Sequence, residues 1–133
     1  MNDGMTLPLT RPLVDGPSAW KGIDLRQQPE KWIYRLSKDE IAEIEAATDA
    51  AMATGKAMAD ITKEDFVLPS FAKRLTAILD GLFDGYGFIV IRGFPTGGHP
   101  ILRNAITFWG ICRNMGNLVS QNTRGHLLGH VRD

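Results

Sequence analysis

Three histidines, one cysteine and one run of polar residues are the first places to look for chemistry in this 133-residue chain. His126 and His130 lie four apart. On a helix that spacing puts two imidazoles on one face, as a zinc site requires. Gly125 and Gly129 interrupt the stretch and argue against a helix there. On a strand, four residues separate the rings by about 13 Å, too far to share a metal. His130 and Asp133 are spaced His-x-x-Asp, which on a strand sends the two side chains to opposite faces. The sequence holds no Cys₄, Cys₂His₂ or His₃ set, and no metal ligand is assigned. His99 precedes a proline at a helix start and reads as a polar residue of the cap region.

Cys112 is alone, so it makes no internal disulfide. It falls on the apolar side of a helical pattern and reads as a small buried hydrophobe, because no neighbouring base marks it as a nucleophile. Gly85-Tyr86-Gly87 precedes a strand rather than a helix, and Gly97-Gly98 is not followed by Lys-Ser/Thr. Neither is a phosphate loop, and no Gly-x-Ser-x-Gly elbow occurs. No catalytic residue is assigned. What remains is Leu118 to Gly125, where Ser120 to Arg124 are five consecutive polar residues.

Loops held by rigid elements are where ligand groups gather. On that reading Gln121 and Asn122 orient a substrate, since each carries donors and an acceptor. Arg124 then grips an acidic substrate group with its guanidinium fork. The other reading is a solvated turn, in which Asn122 closes the turn and Arg124 pairs with an acidic neighbour.

The elements that must position this loop are legible in outline. Residues 1–17 hold Pro8, Pro12 and Pro17 and read as an extended arm. A short strand at Ala19–Lys21 is expected to anchor it, with Trp20, Ile23 and Leu25. Gln27 to Glu30 is a turn, and Pro29 to Tyr34 fits one helical turn burying Trp32. Ser37-Lys38-Asp39-Glu40 is a capping box that opens a helix. Its apolar stripe is Ile41, Ile44, Ala47 (or Thr48) and Ala51, with Glu43 and Asp49 facing water and Gly55 as the stop.

A connector with a short strand at Phe66–Leu68 follows. A second helix is predicted from Pro69, where the missing N–H costs nothing. Its face is Phe71, Leu75, Ile78, Leu79, Leu82 and Phe83. Gly85 to Gly87 ends it. Phe88–Ile91, unbroken and rich in β-branched residues, predicts a strand covered on both faces. A third helix is predicted from Pro100 to Met115, with Ile101, Ala105, Phe108, Cys112 and Met115 as its face, widened by Leu102, Ile106 and Trp109. Gly116 is its expected left-handed exit. Leu127–Val131 reads as a final strand. So apolar a third helix should be mostly buried.

Composition bounds the function. Apolar residues make up 44% and charged residues 23%, a globular rather than a disordered mix. Lys and Arg balance Asp and Glu at fifteen each, so no net charge draws nucleic acid or an anionic membrane. No apolar run approaches the ~20 residues that span a bilayer. The N-terminus has no secretory pattern. These features predict a soluble, cytoplasmic protein. Residues 91–133 nevertheless hold five arginines (Arg92, Arg103, Arg113, Arg124 and Arg132) against one acid, Asp133. Ion pairs inside the fold are the simplest use for them.

Three stretches, in order, carry a likeness. They are Pro17-Ser18-Ala19-Trp20-Lys21-Gly22-Ile23-Asp24-Leu25 with Trp32 and Leu36–Ile44; Gly87-Phe88-Ile89-Val90-Ile91-Arg92-Gly93-Phe94-Pro95; and Gly116-Asn117-Leu118-Val119-Ser120-Gln121-Asn122 with Gly125 to Asp133. Together they resemble the N-terminal region of taurine dioxygenase-like (clavaminate-synthase-like) Fe(II)/2-oxoglutarate oxygenases.

The resemblance implies an α/β (α+β) fold: the N-terminal helical and strand part of a double-stranded β-helix, or jelly roll, incomplete without downstream chain. Residues 1–133 then form one partial domain. Residues 1–36 are an arm with a short strand, and 37–133 run helix, connector, helix, strand, helix, loop, strand. The family holds iron on His-x-Asp/Glu and a distant His, and 2-oxoglutarate on a later arginine. No His-x-Asp or His-x-Glu occurs here. The resemblance therefore implies Fe(II) and 2-oxoglutarate for a full-length enzyme acting on a small organic substrate, with none bound by this chain alone. Its expected partners are that substrate and the remainder of the oxygenase chain or a second copy. The alternative is a small non-catalytic α/β module that binds a protein through an apolar helix.

Overall fold

Ser37 and Glu40 fix the start of the first long helix as their spacing requires. The Ser37 hydroxyl accepts from the Glu40 N–H at 3.1 Å, and the Glu40 carboxylate accepts from the Ser37 N–H at 2.9 Å. The computed structural model describes residues 12–131, so most of the expected arm, and Arg132 and Asp133, lie outside the described residues. The elements run α1 (Gly22–Arg26), a 3₁₀ turn (Pro29–Lys31), β1 (Ile33–Arg35), α2 (Lys38–Ala53), a 3₁₀ turn (Met58–Asp60), α3 (Phe71–Asp84), β2 (Val90–Arg92) and α4 (Ile101–Met115). No helix is long and apolar enough to cross a membrane among the described residues.

The core lies between α2, α3, α4 and the connector. Ile44, Ala47 and Ala51 enter it from α2, Phe71 and Leu75 from α3, Ile106, Trp109 and Ile111 from α4. The connector adds Ile61, Phe66 and Leu68. Small residues let α2 and α4 approach. Their contact holds a buried hydroxyl pair, Thr48 Oγ1 and Thr107 Oγ1, 2.8 Å apart. Each hydroxyl also lies within reach of a carbonyl in its own helix, Ile44 O at 2.9 Å and Arg103 O at 3.1 Å. Two protons serve three contacts, so one hydroxyl donates across the interface and the other to its own helix. At the rim Arg103 pairs with Asp49, the use expected of the C-terminal arginines.

The sheet is small. β1 and β2 are parallel, with Ile33 opposite Val90, Tyr34 opposite Ile91 and Arg35 opposite Arg92. Trp32 O and Arg92 O extend the ladder by accepting from Val90 N and Leu36 N. The described residues thus form a mixed helix and strand domain with a two-stranded parallel sheet.

Several expectations are corrected. Ala19–Lys21 is not a strand. The chain turns there, with Ala19 N donating to Gly16 O, and α1 follows. Trp20 still ties this segment down, through its indole N–H to Tyr86 O at 3.0 Å and its ring against Phe88. Pro29–Tyr34 is divided between a 3₁₀ turn and β1, and Trp32 is half-buried. Phe66–Leu68 lacks a strand partner. Its side chains alternate as on a strand, Phe66 and Leu68 inside and Val67 outside, because its backbone only crosses the core.

Pro69 and Ser70 form a turn, and α3 begins at Phe71. Glu43 explains that start. It does not simply face water: its carboxylate accepts from Ser70 Oγ at 2.6 Å, Ser70 N at 3.0 Å and Phe71 N at 2.6 Å. A side chain from α2 thus satisfies orphan donors at the α3 N-terminus, and its charge suits the positive end of that helix. At the other end Phe83 is exposed and Leu82 only half-buried, so the predicted α3 face is covered over its first half.

Residues 88 and 89 lead into the sheet and pairing begins at Val90, where Trp32 O meets the first partner N–H. Cover on both faces is not observed, since Val90 is exposed and Ile91 half-buried. On α4 the packed residues are Ile106, Thr107, Trp109, Gly110 and Ile111. Ile101, Leu102, Phe108 and Met115 are exposed. The apolar stripe read from the sequence is largely the outer face, and the helix is half-buried rather than mostly buried. Gly116 is extended at φ 163, not left-handed. Leu127–Val131 forms no strand and is mostly exposed.

Candidate functional site

α4 delivers the chain into the polar loop. Its last turn closes with Gly116 N donating to Cys112 O at 3.1 Å. Leu118 then packs on the core edge, and residues 119–127 reverse direction around Asn122. The Asn122 Oδ1 accepts from Arg124 N at 3.0 Å and His126 N at 3.2 Å. Its backbone oxygen accepts from Gly125 N at 3.0 Å and Ser120 Oγ at 3.0 Å. This is an Asx turn, the local use of asparagine that replaces backbone pairing in a tight reversal. Gly125 sits at φ +78, which a side chain would strain. Gln121 N donates to His126 O at 2.7 Å across the neck.

The second amide nitrogen of the turn meets a ring. Asn122 Nδ2 lies 3.1 Å from His126 Nδ1. Because Asn122 Oδ1 is held by two backbone donors, the amide presents its N–H to the ring, and His126 Nδ1 is the acceptor. His126 is thereby part of the turn.

One wall of the loop faces a half-open cavity of about 360 Å³. Phe108, Trp109, Cys112, Leu118, Gln121, Leu127, Leu128 and Gly129 line it. Of the three residues singled out in the loop, Gln121 reaches this cavity; Asn122 and Arg124 are not among its lining residues. Gln121 Nε2 donates to Val119 O at 2.9 Å, which fixes the orientation of its carboxamide. Arg124 is exposed and makes no ion pair among the described residues.

The rest of the wall was missed as a site by sequence reasoning. Phe108 and Cys112 carry the one available signal, since both belong to the stripe that α4 turns outward. Trp109 contributes its ring while its indole N–H donates to Ile61 O at 3.0 Å. Burial pushes the Cys112 thiol up, which keeps it neutral.

A second, larger cavity of about 440 Å³ runs along the α3 C-terminus beside Tyr86, Phe88 and Ile89. Among the described residues its polar side chains are Lys31 and Tyr86 alone. Among the described residues no three His, Cys, Asp or Glu side chains come together as a metal site.

Over 116 residues, 86% of its length, the chain is 31% identical to a taurine hydroxylase-like protein of Stachybotrys chartarum. Over 120 residues, 90% of its length, it is 25% identical to the FR-33289 synthase of Streptomyces rubellomurinus. These stretches make up 30% and 35% of the two proteins and lie in their N-terminal portions. The chain thus spans about a third of the length of the curated relatives it matches. No family model matches it.

Proposed function

Starting from the taurine dioxygenase-like family that these relatives support, we propose that the chain is the N-terminal portion of an iron- and 2-oxoglutarate-dependent oxygenase of the cytoplasm. It forms the helical flank of a jelly roll and borders the entrance through which a small organic substrate passes. The observation that carries this reading is the position of the match: nine-tenths of this chain against the first third of a longer protein.

The described residues offer no donor set for Fe(II), so no step is drawn through the metal. Iron held by three protein ligands leaves open positions for cosubstrate and O₂, and those ligands belong to downstream sequence. The role of this segment is to bind and orient. Gln121 contacts the substrate from the cavity wall, Asn122 holds the loop in shape, and Arg124, free of a carboxylate partner among the described residues, takes an acidic group at the outer edge. The remainder of the oxygenase chain, or a second copy, covers Ile101 and Leu102 at the start of the outer face of α4.

The exposed face of α4 also favours a second reading, a non-catalytic module that binds a protein through Ile101, Leu102 and Phe108. One experiment separates the two. The 133-residue chain and the full reading frame of its gene are each supplied with Fe(II), 2-oxoglutarate and O₂, and succinate is measured. The oxygenase reading expects succinate from the full frame and none above a buffer blank from the short chain. A full frame that lacks His-x-Asp/Glu and makes no succinate leaves the module.

A further inference from the structure

The lining of the loop-side cavity specifies the chemistry of what enters it. Phe108, Leu118, Leu127 and Leu128 offer only apolar surface, and Trp109 offers only its ring, because its N–H is spent on Ile61 O. Among the described residues no Lys, Arg, His, Asp or Glu lines the cavity, and Arg113 and Arg124 both stand outside it. An anion placed here would lose its water and gain no countercharge, a cost of several kcal/mol. Cys112 adds a weakly polar thiol.

Among the lining side chains one strong polar group remains, the Gln121 carboxamide. Its nitrogen donates to Val119 O, and its Oε1 accepts from no donor among the described residues. That oxygen is an open acceptor on a residue that lines a cavity of mostly apolar side chains. The size is also telling. A cavity of about 150 Å³ takes one benzene ring, and this one measures about 360 Å³.

We propose that this cavity binds an uncharged, largely apolar molecule of about two rings' bulk, carrying one O–H or N–H donor that bonds to Gln121 Oε1. This rests on the reading that Gln121 faces ligand, and it is independent of whether the full protein is an oxygenase. It assigns the buried part of the ligand a chemistry opposite to that of a small sulfonate such as taurine.

The test uses the 133-residue chain and three probes: 2-naphthol, 2-methoxynaphthalene and taurine. The two naphthalenes have nearly the same bulk, and only the first can donate. Binding is followed by equilibrium dialysis and by protection of Cys112, the single cysteine, from a thiol reagent. The expected result is that 2-naphthol binds about fivefold tighter than 2-methoxynaphthalene, the worth of one neutral hydrogen bond. It also slows Cys112 modification, and taurine does neither. Gln121→Ala should abolish the preference while leaving 2-methoxynaphthalene binding in place. Gln121→Glu, which keeps an acceptor, should retain it. Equal binding of the two naphthalenes, a preference that survives Gln121→Ala, taurine binding with Cys112 protection, or no naphthalene binding by chain that is folded by circular dichroism would each overturn the proposal. Succinate formation by the full protein bears on the oxygenase reading alone.

Discussion

Gly110 lies against the ring of Phe66, so closely that a β-carbon on Gly110 would overlap it. Here α4 and the connector meet without room for a side chain. That explains why a glycine, poor in helix propensity, occupies the middle of the helix. The same turn of α4 supports the approach with Asn114, whose amide donates to Phe66 O and Gly110 O, both at 2.9 Å.

Gly110→Ala should therefore destabilise the chain, although alanine is the better helix former. Overpacking typically costs 1–3 kcal/mol, and the rigid ring places this site at about the upper end. Urea unfolding measures it. Combining the change with Phe66→Leu should recover part of the loss, since residues in contact are not additive. An additive double variant would show that the ring is not the obstacle.

This contact also shows what the sequence could and could not reveal. The three long helices were legible because they rest on local signals: the Ser37–Glu40 box, the glycines after α3 and Pro100 before α4. The buried face of α4 was legible only in Ile106 and Trp109. Beside them and Ile111 it holds Thr107 and Gly110, which score as polar or neutral, while the apolar Ile101, Leu102 and Phe108 point outward. Close packing selects small residues, and a hydrophobicity pattern cannot see them. β1 was missed because a three-residue strand shows no period and exists through its partner, β2. In the candidate site, the polar run was legible by composition. The cavity wall was not, since Trp109 read as part of an apolar helix face and Leu128 as part of a final strand.

Trp109 is 3% exposed and holds Ile61 O with its indole nitrogen. Trp109→Ala should cost about 3–5 kcal/mol in urea unfolding, by lost burial and the cavity it leaves. Trp109→Phe keeps most of the ring and leaves the carbonyl without its donor. Its cost should be about 1–3 kcal/mol. A loss under about 1 kcal/mol for the alanine variant would place the ring outside the cooperative core.

Glu43 links stability to pH. Burial raises its pKa, but the Ser70 hydroxyl and the Phe71 and Ser70 N–H groups favour the carboxylate more strongly, and the net effect is a lowered value. A carboxylate depressed in the folded state stabilises it above the unfolded pKa, and that contribution disappears as pH falls through the folded pKa. Glu43→Gln should cost about 1 kcal/mol at neutral pH, as the loss of a good cap does. The gap between variant and parent should shrink from about pH 5 downward, starting near the unfolded pKa of about 4.3. Urea midpoints taken across that range give the answer, and a gap that is constant with pH would remove Glu43 from the linkage.

The loop gives the last prediction, to be measured in the full-length protein. Gln121 and Asn122 are adjacent but do different work. Gln121 faces the cavity, whereas both polar atoms of the Asn122 side chain are engaged with its own turn. Gln121→Ala should lower kcat/KM at least tenfold, about 1.4 kcal/mol in transition-state terms, with an unchanged thermal midpoint. Asn122→Ala should lower it as well, by releasing the turn, and amide exchange at Arg124 and His126 should quicken with it. Asn122→Asp keeps the oxygen that accepts from those two amides, so it should restore their slow exchange and most of the activity. A Gln121→Ala enzyme with parental kcat/KM would mean that the cavity wall touches no substrate. An Asn122→Ala enzyme with fast amides and parental kcat/KM would mean that the substrate does not depend on where the turn holds Gln121.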